Sequence, residues 1–75
     1  MRKPLKNQIV TIKTNSTVFV AGTVTRVVKT NDCDCVVNTR MGIANILYSH
    51  LQEPSHADKA MLRKEEKKGY KVYIP

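Results

Sequence analysis

The segment KTNDCDCVVNTRMG, residues 29–42, contains the side chains best suited to chemistry, because two cysteines flank an aspartate. Thiolates and imidazoles bind zinc, and the candidate ligand set is Cys33, Cys35, His50 and His56. Structural zinc sites usually have two or more residues between paired ligands, and Cys-x-Cys does not fit that spacing. We predict no metal and no other cofactor, while noting that the next strand could bring His50 near the cysteines.

The two thiols are better explained as part of a packed strand. Residues two apart in a strand point to the same face, so Cys33 and Cys35 project together while Asp34 points the other way. An extended strand holds their Cα atoms too far apart to favour a disulfide bond between them. We therefore predict two small buried apolar side chains, kept reduced in a cytoplasmic protein.

Motifs of catalytic sites are absent from the sequence. The chain has no glycine-rich phosphate loop, no G-x-S-x-G turn and no HExxH helix. Cys33 and His50 would supply a nucleophile and a base, but such a pair also needs an orienting group and a pocket. A chain of 75 residues leaves little room for them. We predict that the protein is not an enzyme and has no catalytic residues.

Net charge is the strongest global feature. Thirteen Lys and Arg residues against six Asp and Glu residues give a formal charge of +7. Such an excess attracts polyanions without specifying a sequence. Nucleic acid, either DNA or RNA, is the expected partner, and an acidic protein is the alternative.

The chain has no apolar run of membrane-spanning length, and no apolar segment follows the basic start MRKPLKNQ, so we expect neither membrane contact nor a signal peptide.

Basic residues recur along a predicted helix near the C-terminus. Lys59, Arg63 and Lys67 are spaced by four residues and therefore share one helix face. An ordinary solvated, salt-bridged face is the alternative, because Glu65 and Glu66 interrupt the run.

Aromatic residues lie among these charges, as on surfaces that combine phosphate contacts with base stacking. We predict that Tyr48 and Tyr73 face outward, with burial in the small core as the alternative. The full candidate nucleic-acid-binding set is Lys13, Arg26, Lys29, Arg40, Tyr48, Lys59, Arg63, Lys67 and Tyr73.

The elements that would position these residues are mostly strands. One domain is expected from 75 residues, and Val and Ile dominate its apolar set. Turn residues are predicted at Asn15 and Ser16, and a bend at Gly22. Alternation predicts strands over residues 8–13, 17–29, 33–39, 43–48 and 70–74.

The chain changes character at Ser55. Ser55 suits a helix N-cap, Asp58 follows it three residues later, and Gly69 suits the helix end. We predict a helix over residues 55–68. Its small apolar side consists of Ala57, Ala60, Met61 and Leu62.

The expected fold is therefore a small five-stranded, mainly β barrel with one α-helix inserted between strands four and five. Strands one and five would be its edges and would make pairing with another chain easy. Residues 1–7 are interpreted as a flexible basic segment, either an arm that orders on a polyanion or a frayed terminus, and we favour the second.

Two segments, VTIKTNSTVFVAGTVTRVVKTND and RMGIANILYSHLQEP, carry a resemblance to a known group. They resemble the SH3-like small β-barrels, which include Sm, Tudor and KOW domains, and the likeness to Sm proteins covers residues 8–51. The resemblance implies the barrel fold, and with it RNA binding or ring assembly. Met41 separates Arg40 from Gly42 where Sm proteins have adjacent Arg and Gly, and a full helix replaces their short turn between the last strands.

Two functions follow from these expectations. The first is non-enzymatic nucleic-acid binding through phosphate contacts, with low sequence specificity. The second is a protein-interaction module, such as a regulator, inhibitor or adaptor of viral or other origin, that binds an acidic patch on a polymerase or nuclease. An exposed apolar stripe on the helix would favour the protein partner, and a continuous basic face with outward tyrosines would favour nucleic acid. The oligomeric state is not predicted.

Overall fold

The computed structural model describes residues 2–69 and 73–74, and within them the protein is mainly β with one helix. A short 3₁₀ turn, Tyr48–His50, joins the fourth and fifth strands. The elements are β1 (Ile9–Ile12), β2 (Val24–Thr30), β3 (Asp34–Thr39), β4 (Gly42–Leu47), β5 (Leu51–Gln52), α1 (His56–Lys67) and β6 (Tyr73–Ile74).

The strands form one antiparallel sheet in the order β4-β3-β2-β1-β5, with β6 paired to the start of β2. β2 is the central strand, because it pairs with β1 and β6 near its beginning and with β3 near its end. The register between β2 and β3 shifts between Val27 and Lys29. Irregularities of this kind bend a strand and increase its twist, and here the sheet curls into a small half-barrel.

The predicted strand over residues 17–29 is wrong in its first half. The backbone N–H groups of Val18 and Phe19 donate to the Ser16 hydroxyl, and the N–H of Ala21 donates to Asn15 Oδ1. These side-chain acceptors hold the chain as a loop that continues to Gly22, where φ is +93°. The strand therefore begins only at Val24.

The order of elements also differs from the prediction at the sheet edges. The two-residue strand β5 was not predicted, so α1 follows the fifth strand instead of the fourth. β1 lies between β2 and β5, and the expectation that strand one is an edge is therefore wrong. β4 is the terminal strand instead. Of the strand predicted over residues 70–74, residues 73–74 form β6, and 70–72 lie outside the described residues.

The sheet separates two apolar clusters. The larger lies inside the curl and contains Val10, Ile12, Phe19, Val27, Cys35, Val37, Ile46, Tyr48 and Leu51. The smaller lies under the helix and contains Ile9, Val24 and Leu62. All four residues of β1 are buried, because its two faces belong to different clusters.

Helix α1 begins and ends as its sequence predicts. The backbone N–H of Asp58 donates to the Ser55 hydroxyl at 3.1 Å, and Gly69 ends the helix with φ at +79°. The predicted apolar side is wrong except for one residue. Leu62 is fully buried, whereas Ala57 and Ala60 are exposed.

We predict that Leu62→Ala lowers the free energy of unfolding by about 2–5 kcal/mol, because it leaves a cavity between α1 and the sheet. The adjacent Met61 is 50% exposed. Met61→Ala is therefore the matched control and should change stability by less than about 0.5 kcal/mol. Urea denaturation followed by circular dichroism measures both. Equal losses in the two variants would contradict this helix placement.

Candidate functional site

A polar cleft lies between β1, α1 and a turn over residues 5–8, which we call the N-terminal turn. Its volume is about 310 Å³. Three residues of the predicted nucleic-acid-binding set meet there, although they come from a strand and a helix more than 30 residues apart. The lining consists of Asn7, Gln8, Ile9, Arg26, Glu53, Lys59 and Arg63.

The helix supplies two of these cations. Capping by Ser55 sets the first turn of α1, and Lys59 and Arg63 then lie four residues apart on the face that borders the cleft. Leu62 anchors the neighbouring helix face in the apolar cluster and so sets the rotation of α1. No carboxylate of the described residues lies within ion-pairing distance of Lys59 or Arg63. Their charges are therefore available to a ligand.

Arg26 is the third cation, and it is held by the protein itself. Its Nε and Nη2 donate to the two carboxylate oxygens of Glu66 at 2.6 and 3.0 Å, and its Nη1 donates to the Asn7 carbonyl oxygen at 2.6 Å. The hydrogen bonds to Glu66 raise the pKa of Arg26, and partial burial opposes this. Arg26 thus joins β2, α1 and the N-terminal turn, and positions the cleft walls more than it offers free charge.

The N-terminal turn is fixed to the sheet. The backbone N–H of Asn7 donates to the Val27 carbonyl at 2.8 Å, and Asn7 has a positive φ of 71°. The backbone N–H of Leu5 donates to Gln8 Oε1, and the N–H of Gln8 donates back to the Leu5 carbonyl. Pro4 is buried. Within the segment interpreted as flexible, the residues after Lys3 are therefore tied to the sheet, and Asn7 lines the cleft.

A second groove of about 390 Å³ adjoins this cleft, and Glu53 lines both. It adds Arg2 and Lys13, together with the strand β5. We call the combined surface the basic track, and its charged residues are Arg2, Lys13, Arg26, Glu53, Lys59, Arg63 and Glu66. Five cations thus face two carboxylates, one of which is already paired with Arg26.

Sequence reasoning missed the contributions of Arg2, Gln8 and Glu53. Arg2 was detectable only as part of a basic terminus, and its place in a groove depends on the turn that follows it. Gln8 and Glu53 flank β1 and β5, and neither has a sequence signal of its own. They enter the track because those two strands are neighbours in the sheet.

The other predicted basic residues lie elsewhere. Lys29 is exposed beside Val36 on the β2–β3 ladder, and Arg40 follows β3, about 13 Å further along that strand. Arg40 lines a separate, mainly apolar cavity of about 140 Å³ with residues 18–20 of the loop. Lys67 is exposed at the end of α1 and does not line the cleft. The basic track therefore contains only part of the predicted nucleic-acid-binding set.

The tyrosine prediction is wrong for Tyr48. Its side chain is only 8% exposed and belongs to the main core, and its hydroxyl donates to the Asn31 carbonyl at 2.5 Å. Tyr48 has the same position in the alternation as Ala44 and Ile46, which face the core, so its side chain continues the inward side of β4. The side chain of Tyr73 lies outside the described residues.

The cysteine prediction is half wrong. Cys35 is fully buried in the core, but Cys33 precedes β3 in a bend and is exposed. Burial, and secondarily the charge of Asp34, raises the pKa of Cys35 to about 11. His50 and His56 are both exposed, and residues 2–69 contain no cluster of three or more His, Cys, Asp or Glu side chains that could hold a metal ion.

Comparisons with protein-family models, with curated proteins and with solved structures give no match for this chain. Within the described part of the chain, no helix is long and apolar enough to cross a membrane. The geometry and charge of the basic track are therefore the features of this protein that indicate its function.

We predict that one thiol per native chain reacts with a maleimide or disulfide reagent at pH 8, and that two react after denaturation. Cys33 is exposed, whereas Cys35 is buried and protonated at that pH. Cys33→Ser should abolish the native reaction and Cys35→Ser should preserve it. Labelling followed by mass spectrometry distinguishes them, and two rapidly reacting native thiols would contradict the packing of β3.

Proposed function

We propose that this protein is a non-enzymatic nucleic-acid-binding small barrel of the SH3-like type. It binds the phosphate backbone of DNA or RNA along the basic track, with low sequence specificity. The observation that supports this most directly is the cleft itself, where the half-buried Lys59 and the exposed Arg63 lie beside Arg26 with no described carboxylate in ion-pairing distance of either. Two unpaired cations on one helix face, next to a groove, suit successive phosphates better than a point ligand.

Low sequence specificity follows from the positions of the aromatic residues. Tyr48, which the sequence analysis predicts to face outward, is in the core, and so is Phe19. The described lining of the basic track contains no aromatic side chain that could stack on a base. Phosphate contacts position a protein on nucleic acid, whereas base contacts specify a sequence. Gln8 is the lining side chain best suited to a base edge, but its amide oxygen already accepts from Leu5.

We propose no catalytic step for this protein, and we propose that it is cytoplasmic. A thiol with a pKa of about 11, as for Cys35, is largely protonated at neutral pH and therefore a poor nucleophile. Cys33 is an exposed free thiol, which suits a reducing compartment.

An acidic protein partner is the second candidate, and one observation favours it. Ala57, Ala60 and Met61 are exposed and recur at helical spacing on α1, which makes a narrow apolar stripe facing solvent. A partner that contacts this stripe would use a different side of α1 from Leu62. Met61→Gln should weaken such a complex by removing an apolar contact, and should leave nucleic-acid binding intact because it changes no charge.

The first experiment is fluorescence anisotropy with labelled single- and double-stranded DNA and RNA at two salt concentrations. Affinity should fall with salt by about 0.7–0.9 log units per phosphate contact for each log unit of salt. The relative affinities of the four probes identify the nucleic acid to pursue. Absence of binding to all four at low salt would contradict the proposal and leave the acidic protein as the candidate.

The charge-reversal pair Lys59→Glu/Arg63→Glu should weaken binding and lower the salt slope by about 1.4–1.8, because two phosphate contacts are lost. The matched control is Lys64→Glu/Lys68→Glu, which has the same spacing and net charge change but is displaced by five residues and so lies about 140° further around the helix. Both pairs should remain folded. Equal loss of binding in the two pairs would indicate a diffuse charge effect and contradict a defined track.

Glu66→Gln should change stability and binding in opposite directions. It breaks the ion pair with Arg26, whose partners are only partly buried, so the loss of stability should be about 1 kcal/mol. It also releases the charge of Arg26 and removes one carboxylate, so affinity for nucleic acid should rise roughly two- to fivefold. Urea denaturation and anisotropy measure the two effects. Reduced affinity in this variant would contradict the expected gain in free charge, and would show that the pair affects binding by positioning the cleft walls.

A further inference from the structure

The outer edge of β4 is open in the part of the chain that the structure describes. β4 ends the sheet, with β3 on one side and no described strand on the other. Edge strands in natural proteins are usually short, charged, interrupted by proline or covered, because unpaired backbone groups recruit other strands. β4 has six residues, GIANIL, and contains neither a charged residue nor a proline. Its pairing with β3 is regular from Gly42 to Leu47, without a bulge.

The backbone groups that face this open edge can be identified from the register. The N–H of Tyr48 donates to the Cys33 carbonyl of the neighbouring chain segment, which continues the β3–β4 ladder by one position. Hydrogen-bonded positions alternate along an antiparallel ladder, so the even-numbered residues of β4 face β3. The N–H and C=O groups of Ile43, Asn45 and Leu47 therefore point away from the sheet and can accept a new strand.

The side chains of the same three residues lie on the outer face of the sheet. Ile43 is 67% exposed, Leu47 is 48% exposed, and Asn45 between them is exposed as well. The alternate residues Ala44 and Ile46 pack against or within the core. Both the exposed apolar surface and the unpaired backbone groups thus belong to one short strand.

The pattern of β4 is symmetric about Asn45. In an antiparallel pair of two β4 strands centred on Asn45, Ile43 of each copy lies opposite Leu47 of the other. Apolar cross-strand pairs of this kind stabilise a sheet. Asn45 lies opposite Asn45 on the two-fold axis, and all three outward-facing residues of each copy exchange backbone hydrogen bonds. A strand of this pattern is therefore complementary to itself.

Charges at the two ends of the edge support the same pairing. Arg40 is exposed in the turn that precedes β4, while Asp34 pairs with Leu47 at the far end of β4 and Asp32 is exposed in the adjacent bend. Antiparallel pairing brings the Arg40 end of one copy toward the aspartate end of the other. The two-fold symmetry repeats this attraction at the other end of the paired strands. Each chain has a net charge of +7, but β4 itself contains no charged residue. Pairing two β4 strands therefore places no like charges directly opposite each other.

We propose that two copies of this chain form a two-fold symmetric dimer by antiparallel pairing of their β4 edges. The two half-barrels then share one continuous sheet. The basic track lies on the β1–β5 side, at the opposite end of the strand order, so both tracks stay open in the dimer. The inference does not depend on the proposed nucleic-acid function.

The decisive experiment is a thiol crosslink at the two-fold axis, in a Cys33→Ser background that removes the exposed native thiol. Opposite residues of a hydrogen-bonded antiparallel pair have Cβ atoms up to about 5.5 Å apart, wider than the separation of about 3.5–4.5 Å that a disulfide requires but within reach of a short bifunctional thiol reagent. Asn45→Cys should therefore give a covalent dimer with such a reagent. The control Ile43→Cys places its two thiols about 13 Å apart along the strands and should not crosslink.

Sedimentation equilibrium of the unmodified chain provides an independent readout. Small interfaces form weak dimers that dissociate on dilution. As the concentration rises from about 10 µM to about 1 mM, the average mass should therefore rise from 8.5 kDa toward twice that value. Leu47→Lys should return the chain to a monomer, because the two-fold axis places each lysine against Ile43 of the other copy. Met61→Lys, an equally exposed apolar residue on α1, should not.

Each alternative arrangement has its own outcome, and each overturns the proposal. If the chain stays monomeric at the highest concentration and Asn45→Cys gives no crosslink, the β4 edge does not pair with itself. A strand from a different protein would then be the candidate partner for this edge. Larger assemblies without the Asn45 crosslink would indicate head-to-tail pairing of β4 with another edge. Dimers that survive Leu47→Lys but dissociate with Met61→Lys would assign the interface to the helix stripe.

Discussion

The attachment of α1 to the sheet is the constraint on which the rest of the surface depends. One apolar side chain, Leu62, enters the small cluster with Ile9 and Val24, and one ion pair, Arg26 with Glu66, joins the far half of the helix to β2. Arg26 also binds the Asn7 carbonyl, so the same guanidinium holds the N-terminal turn. Three elements that are distant in sequence meet at one residue. A bidentate pair is directional as well as attractive, so it fixes the helix orientation in addition to its position.

This attachment explains why the protein has a cleft in addition to a basic surface. β1 is buried on both faces because the half-barrel core covers one and α1 covers the other. The helix contacts the sheet through few residues, so a groove stays open between its first turns and the N-terminal turn. Its unpaired cations line that groove. No described strand or helix covers the opposite end of the sheet, and β4 presents its backbone and apolar side chains to solvent. One side is thus suited to a polyanion, and the other to a strand.

Local signals in the sequence predicted the local structure well, and failures came where long-range packing decides. The helix cap at Ser55, the helix end at Gly69 and the β3–β4 hairpin depend on neighbouring residues, and all three are confirmed. The loop before β2 was mistaken for a strand because Asn15 and Ser16 accept backbone hydrogen bonds that no alternation pattern reveals. The spacing of Lys59 and Arg63 was readable from the sequence. Their meeting with Arg26 was not, because it depends on where α1 crosses the sheet.

The most direct test of the account is a titration of the isotope-labelled protein with a short RNA or DNA oligonucleotide, followed by amide chemical shifts. The account predicts salt-sensitive shifts at Gln8, Lys59 and Arg63, which line the cleft, and unchanged shifts at Ile43 and Leu47 in β4. Shifts confined to β4, or scattered evenly over all exposed lysines, would contradict a defined nucleic-acid track beside α1.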